Sequence, residues 1–76
     1  MNKKRRARIE AVRGKIEDLK ADLEELRDEE QEAHDNMPEG LQEGERGEAM
    51  DAAIQELETA MDSLEDASLA LEQAVV

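Results

Sequence analysis

The side chains best suited to chemistry lie in the segment EEQEAHD, residues 29–35, which contains His34, the only histidine. Carboxylates and an imidazole on one helix could bind a metal ion, as the glutamate-x-x-histidine pairs of di-iron bundles do. Such a pair needs a carboxylate three residues before the histidine, where this chain has Gln31. No calcium-loop spacing, phosphate-binding glycine loop or nucleophile with a base partner occurs either. We therefore predict a non-enzymatic protein with no catalytic residue, metal ligand or cofactor.

Charged side chains could also bind a partner, and they are distributed unevenly along the chain. The 76 residues contain 10 lysines and arginines against 22 aspartates and glutamates, a net charge of -12. Residues 1–15 carry seven basic and one acidic side chain, whereas residues 16–76 carry three basic and 21 acidic ones. The basic arm consists of Lys3, Lys4, Arg5, Arg6 and Arg8. Because such an arm can hold phosphates in a salt-dependent way, nucleic-acid binding is the alternative function.

The acidic remainder of the chain has two interpretations. It is either a solvated coiled-coil surface or a set of carboxylates that imitates nucleic-acid phosphates in the basic groove of a partner. The carboxylates expected to point away from the helix contact, and so to form an acidic partner surface, are Glu25, Asp28, Glu32, Asp62 and Asp66.

Two heptad patterns predict the helices that position these charges. In the first segment the apolar residues recur at alternating intervals of three and four, which is typical of a coiled coil. With Ile9 as position a, the a sites are Ile9, Ile16 and Leu23, and the d sites are Val12, Leu19 and Leu26. The second segment repeats the pattern through Met50, Ile54, Leu57, Met61, Leu64, Ser68, Leu71 and Val75.

The segment between the two patterns holds the only proline and three of the four glycines, which indicates a connector. Pro38 disfavours helical geometry at Met37, and Gly44 is an acceptable N-cap before Glu45. We therefore predict one all-α domain over residues 1–76, with a helix over about 3–35, a connector over about 36–44 and a helix over about 45–74.

The charges predict how the two helices pair. Short connections make neighbouring helices antiparallel, and e sites then flank e sites. Opposite charges meet at a constant register when Arg13 is paired with Glu72, Lys20 with Glu65, Arg27 with Glu58 and His34 with Asp51. The same register stacks Ile16 on Leu71, Leu23 on Leu64, Leu26 on Met61 and Ala33 on Ile54. The sequence thus predicts an antiparallel two-helix coiled-coil hairpin whose d residues lie in the seam.

A second series of small residues predicts self-association. Alanines stand one heptad apart at the g sites of the second helix, at Ala53, Ala60, Ala67 and Ala74. The seam of a single hairpin is thin, since apolar burial and ordering entropy nearly cancel in small domains. We therefore predict a homodimer that buries the alanine edge and forms a four-helix bundle.

The segment NMPEGLQEGERGEAMDAAIQELETAMDSLEDA, residues 36–67, supplies a resemblance. It is similar to short acidic helical proteins of unassigned function from Gram-positive bacteria and their phages, in which an asparagine-x-proline-glutamate loop precedes a repeated alanine-x-x-x-leucine-glutamate helix. The resemblance implies a bacterial or phage context and assigns no catalytic residue. It also suggests a host or defence protein as partner.

Composition limits the location of the protein. The chain has no cysteine, so neither a disulfide framework nor a thiolate metal site can form. Its apolar runs are only a few residues long, which argues against membrane spanning and export. We expect a cytoplasmic protein-protein interaction module, possible roles being an inhibitor, an adaptor or a purely structural bundle.

Overall fold

The computed structural model describes residues 1–75 of the chain, which form an elongated helical rod. Its helices are α1 (Lys3–Asp35), α2 (Glu39–Gln42) and α3 (Glu45–Ala74). The two long helices pack against each other, and the short α2 packs on α3. The rod extends 58 Å in its longest dimension and only 15 and 11 Å in the other two, so nearly every residue lies close to solvent.

Local signals set the bounds of the long helices. The Asn2 side chain caps α1 by accepting a hydrogen bond of 2.7 Å from the backbone N–H of Arg5. At the other end, α1 stops three residues before Pro38, and the backbone N–H of Asn36 donates to the Glu32 carbonyl at 3.0 Å. Gly44 is the N-cap of α3. These bounds coincide with the expected helices over about 3–35 and 45–74.

The connector contains a helical turn that the sequence did not predict. Pro38 is the N-cap of α2, and its carbonyl accepts hydrogen bonds from the backbone N–H groups of Leu41 and Gln42, at 2.8 and 3.1 Å. The Gln42 side chain donates to the Met37 carbonyl at 2.8 Å. These bonds fold the connector back on itself, so that the backbone of Gln42 is presented to α3.

Gly47 marks the closest approach of the connector to α3. This glycine is buried, and a Cβ atom added to it would lie 2.0 Å from the carbonyl oxygen of Gln42 and 2.7 Å from its Cα atom. Only glycine lets the two backbones approach so closely. This close contact explains why a glycine stands in the first turn of α3.

The fully buried core is small. Its apolar members are Ile16 and Ile54, which are 8% and 6% exposed. Ser68 is buried as well, and its hydroxyl donates to a carboxylate oxygen of Glu17 at 3.4 Å. Half-buried residues extend this seam along both helices and include Ile9, Leu23, Leu57, Met61, Leu64 and Leu71.

The prediction that the d residues of the first helix lie in the seam is wrong. Val12, Leu19 and Leu26 are 45%, 52% and 51% exposed, and Ala33 is exposed too. Half-buried cations stand between the buried a residues instead, at Arg13, Lys20 and Arg27. The physical reason is that α1 turns its e sites toward the carboxylates of α3, so the aliphatic stems of these cations cover the seam.

Candidate interaction surfaces

One flank of the rod carries a regular ladder of ion pairs, which we call the ionic ladder. At the first level, a guanidinium nitrogen of Arg13 lies 3.1 Å from Glu10 on its own helix and another lies 3.6 Å from Glu72 on α3. At the levels of Arg13, Lys20 and Arg27, the cation lies between a carboxylate three residues earlier on α1 and a carboxylate of α3. The Arg13 level has one cation and two carboxylates and therefore a net negative charge, although Arg13 Nε is buried without a hydrogen-bond partner.

The next two levels repeat this arrangement one heptad apart. The Lys20 ammonium pairs with Glu65 and lies 3.6 Å from Glu17. Arg27 lies 3.9 Å from both Glu24 and Glu58 and also contacts Asp28 at 3.0 Å. Ion pairs near the protein surface stabilise a fold by about 0.2 to 1 kcal/mol each, so these pairs select the register more than they hold the helices together.

His34 occupies the fourth level and is the most enclosed side chain of the ladder, at 12% exposure. Its Nε2 atom lies 3.3 Å from Asp51 of α3 and its Nδ1 atom 3.5 Å from Asp35. All four cross-helix pairs expected from the sequence are therefore present. Because residue numbers fall along α3 as they rise along α1, the two helices run in opposite directions beside each other.

The ladder predicts a pH dependence at Lys20. The hydrogen bond to Glu65 raises the pKa of the Lys20 ammonium above its ordinary value of 10.5. A raised folded-state pKa gives a contribution to stability that is complete below 10.5 and is lost as the pH rises through the folded-state pKa. We expect Lys20→Gln to remove this alkaline component from the pH dependence of the urea midpoint. Lys4→Gln, in the exposed arm, is the matched control, and an unchanged profile in Lys20→Gln would contradict the pairing.

The opposite flank of the rod is apolar. On α1, the a-site residues such as Ile16 lie between the ladder cations and the d-site residues Leu19 and Leu26. On α3, the seam residues likewise lie between Glu65 and Ala67. Since the ladder residues of the two helices touch, their opposite flanks also lie together. We call this surface the apolar face. It comprises Val12, Leu19, Leu26 and Ala33 of α1 with Ala53, Ala60, Ala67 and Ala74 of α3.

The four alanines predicted to mediate self-association thus lie beside the leucines of α1. Ala53, Ala67 and Ala74 are exposed, and Ala60 is half-buried. The register of the ladder brings Leu19 level with Ala67 and Leu26 level with Ala60. The face therefore has a ridge of large side chains on α1 beside a row of small side chains on α3. Further helices can pack against a surface of this shape.

The basic arm extends beyond the end of α3. Arg13 pairs with Glu72, and α3 ends at Ala74, so within residues 1–75 the first two turns of α1 lie beyond the last turn of α3. All five cations of the arm are exposed. A groove of about 560 Å³ opens at the junction of arm and rod, lined by Arg5, Arg8, Ile9, Ala11, Val12 and Lys15. The arm and the apolar face are therefore continuous.

The five carboxylates assigned to an acidic partner surface are all exposed, but they do not form one cluster. Glu25, Asp28 and Glu32 lie on the outer side of α1, whereas Asp62 and Asp66 lie on α3. Asp28 is also engaged by Arg27. These carboxylates therefore form two separate rows, one on each long helix.

Two surfaces were not recognised in the sequence. The exposed leucines of α1 were assigned to the seam, although the cations between the a sites could have signalled that α1 is rotated. The α1 carboxylates of the ladder, Glu10, Glu17 and Glu24, were also missed; their signal is a glutamate three residues before each cation.

Within residues 1–75, no three histidine, aspartate or glutamate side chains are grouped so that they could hold a metal ion. None of the described helices combines the length and apolar character needed to cross a bilayer. Compared with known proteins, the chain matches no family model, no curated protein and no solved structure.

Proposed function

We propose that the chain is a non-enzymatic protein-protein interaction module, an antiparallel coiled-coil hairpin that docks through its apolar face. The observation that supports this most strongly is the half-exposed row Val12, Leu19 and Leu26 beside the alanines of α3. Single exposed leucines are ordinary, but a row at heptad spacing along a whole helix is the pattern by which helices pack.

The thin core supports the same proposal. Only Ile16 and Ile54 are buried apolar residues among those described, and a domain of this size gains little net free energy from such a core. Covering the apolar face would add burial along the full overlap of the two helices. A homodimeric four-helix bundle is the simplest assembly that provides this cover.

The outer carboxylates give the module a second binding capacity. On a rigid rod, the row of Glu25, Asp28 and Glu32 keeps a fixed spacing, which suits it to a basic partner surface such as a nucleic-acid groove. Residues 36–67 resemble acidic proteins of phages and bacteria, which favours a host protein in the cytoplasm as that partner. The chain would act on this host protein as an inhibitor or as an adaptor.

A specific observation also favours the alternative of nucleic-acid binding. The five cations of the basic arm are exposed on two helical turns that project past α3, where a phosphate backbone could reach them. This function differs from the first in its dependence on residues 1–8. The two proposals can therefore be separated by deleting that segment.

Affinity capture from bacterial lysate, at low salt and at about 0.5 M salt, tests these functions. If another protein replaces the second copy on the apolar face, the wild-type chain will retain it at both salt concentrations, and Leu19→Glu/Leu26→Glu will lose it because two charges on that face would be desolvated on docking. Loss at high salt with competition by duplex DNA would assign binding to the acidic rows.

Two further results of the capture decide the alternative. Retention of nucleic acid that disappears when residues 1–8 are deleted would establish the basic arm as the functional surface. Retention of no protein at either salt concentration would contradict the interaction module as an adaptor to other proteins. Lys4→Gln removes a single charge of the basic arm and is the control for the deletion. Circular dichroism confirms that each variant remains helical.

A further inference from the structure

The apolar face of α1 carries an ordered pattern of charge. Its outer edge is formed by the heptad g sites, which are Arg8, Lys15, Asp22 and Glu29. The cations lie on the N-terminal side of Leu19 and the carboxylates lie on its C-terminal side. The apolar residues are arranged symmetrically about the same point, since Val12 and Leu26 are each seven residues from Leu19.

These edge charges have no partner within the described chain. The side chains of Arg8, Lys15, Asp22 and Glu29 form no ion pair and no hydrogen bond in residues 1–75, whereas every cation of the ionic ladder contacts a carboxylate. Arg8 and Lys15 instead line the groove that contains Val12. Arg5 lines the groove as well, so the groove offers apolar side chains bordered by cations, and it fits an apolar side chain flanked by carboxylates.

We propose that a second copy of this chain fills the groove, with its α1 antiparallel to the first and the two-fold axis at Leu19. In this arrangement Leu19 meets Leu19 of the second copy, and Val12 meets Leu26 of the second copy. Lys15 then pairs with Asp22 across the axis and Arg8 pairs with Glu29. The inference rests on the proposed function and assigns the partner, the surface and the orientation.

The same two-fold axis accounts for the basic arm. It places residues 3–8 of one copy level with residues 30–35 of the other, a segment that contains Glu30, Glu32 and Asp35. More broadly, residues 1–15 carry seven basic and one acidic side chain, and residues 16–35 carry two basic and ten acidic ones. Antiparallel α1 helices therefore set the basic residues 1–15 of each copy against an acidic segment of the other copy.

The competing dimer has both connectors at the same end, with α1 of one copy on α3 of the other. That arrangement brings the two basic arms together and sets Glu29 level with Glu56 of the other copy. Like charges so placed are unfavourable. In the proposed arrangement, α3 packs on α3 through its alanines, with Ala67 on the axis and Ala60 level with Ala74 of the second copy. The connectors lie at opposite ends of the bundle.

Disulfide trapping tests the orientation, because the chain has no cysteine of its own. Leu19→Cys should form a disulfide-linked dimer rapidly on mild oxidation. Val12→Cys alone should not, since its two copies would lie roughly 20 Å apart along the helices. A mixture of Val12→Cys and Leu26→Cys chains should crosslink with each other. If Leu19→Cys fails and instead crosslinks with Ala67→Cys chains, the proposed orientation is overturned.

Charge exchange tests the edge pairs without touching the apolar residues. Lys15→Glu should weaken the dimer by roughly tenfold or more in sedimentation equilibrium, since it creates two repulsive contacts with Asp22. Asp22→Lys should do the same, and the double variant Lys15→Glu/Asp22→Lys should restore wild-type affinity. An additive double variant would overturn the pairing.

The outcomes distinguish this inference from the proposed function. A dimer with the wrong crosslinks removes the orientation but leaves the apolar face as a docking surface. A wild-type monomer at high concentration overturns the inference, while capture of another protein through Leu19 and Leu26 would still support the module. Helicity measured on each variant shows that a lost dimer is not an unfolded chain.

Discussion

Gly47→Ala is expected to lower the free energy of unfolding by about 2 kcal/mol or more, the largest loss expected for adding a single methyl group to this chain. The new Cβ atom would lie 2.0 Å from the Gln42 carbonyl oxygen and 2.5 Å from its carbonyl carbon. These are backbone atoms, so no flexible side chain can move aside. The connector would have to lift from α3, which would strain the hydrogen bond from Gln42 to Met37.

Urea unfolding followed by circular dichroism measures this effect, and Gly14→Ala is the matched control. Gly14 lies inside α1, and a Cβ atom there would meet nothing within 4 Å. Alanine is favoured over glycine in a helix by about 1 kcal/mol, so Gly14→Ala should stabilise the protein. Equal, stabilising effects of both substitutions would show that the connector does not pack on α3 in solution.

The bounds of the helices could be predicted from the sequence because they depend on short-range signals. Asn2 caps α1 through its own side chain, and Pro38 acts on the residue before it. The register of the two helices was accessible as well, since it follows from the order of charges at one heptad position. Both kinds of signal are written in residue type and spacing alone.

The turn α2 and the rotation of α1 could not be predicted from the sequence in this way. The α2 turn is tied by backbone bonds to Pro38 and by the contact of Gln42 with Gly47, and a glycine can reflect a turn, a cap or a close approach. The rotation is a compromise between burying d-site leucines and bringing Lys20 to Glu65. A heptad pattern records where apolar residues are, but it does not record which neighbour covers them.

The candidate surfaces also differ in whether they could be predicted from the sequence. The basic arm and the alanine series were recognisable because each is a run or a repeat in the sequence. The continuity of the apolar face was not, because it depends on which flanks of two helices lie together. The acidic residues were correctly expected to be exposed, but their separation into two rows depends on the positions of α1 and α3 around the rod.

Ile54→Ala should be the most damaging truncation, with an expected loss of about 2 to 5 kcal/mol in the free energy of unfolding. Ile54 is 6% exposed and, with Ile16, forms the apolar core of the described residues. Few other contacts exist to absorb the cavity, so we expect the variant to unfold at a much lower urea concentration. The measurement belongs in dilute solution, where self-association contributes least.

Leu19→Ala is the comparison that gives this prediction its meaning. Leu19 is 52% exposed, and alanine is the better helix former, so in dilute solution the loss should be well under half of that for Ile54→Ala. At high protein concentration the difference should narrow, because the dimer buries Leu19 and mass action couples that burial to stability. Equal losses in dilute solution would place Leu19 in the seam, as the heptad pattern alone predicts, and would remove the apolar face from which the proposed function is argued.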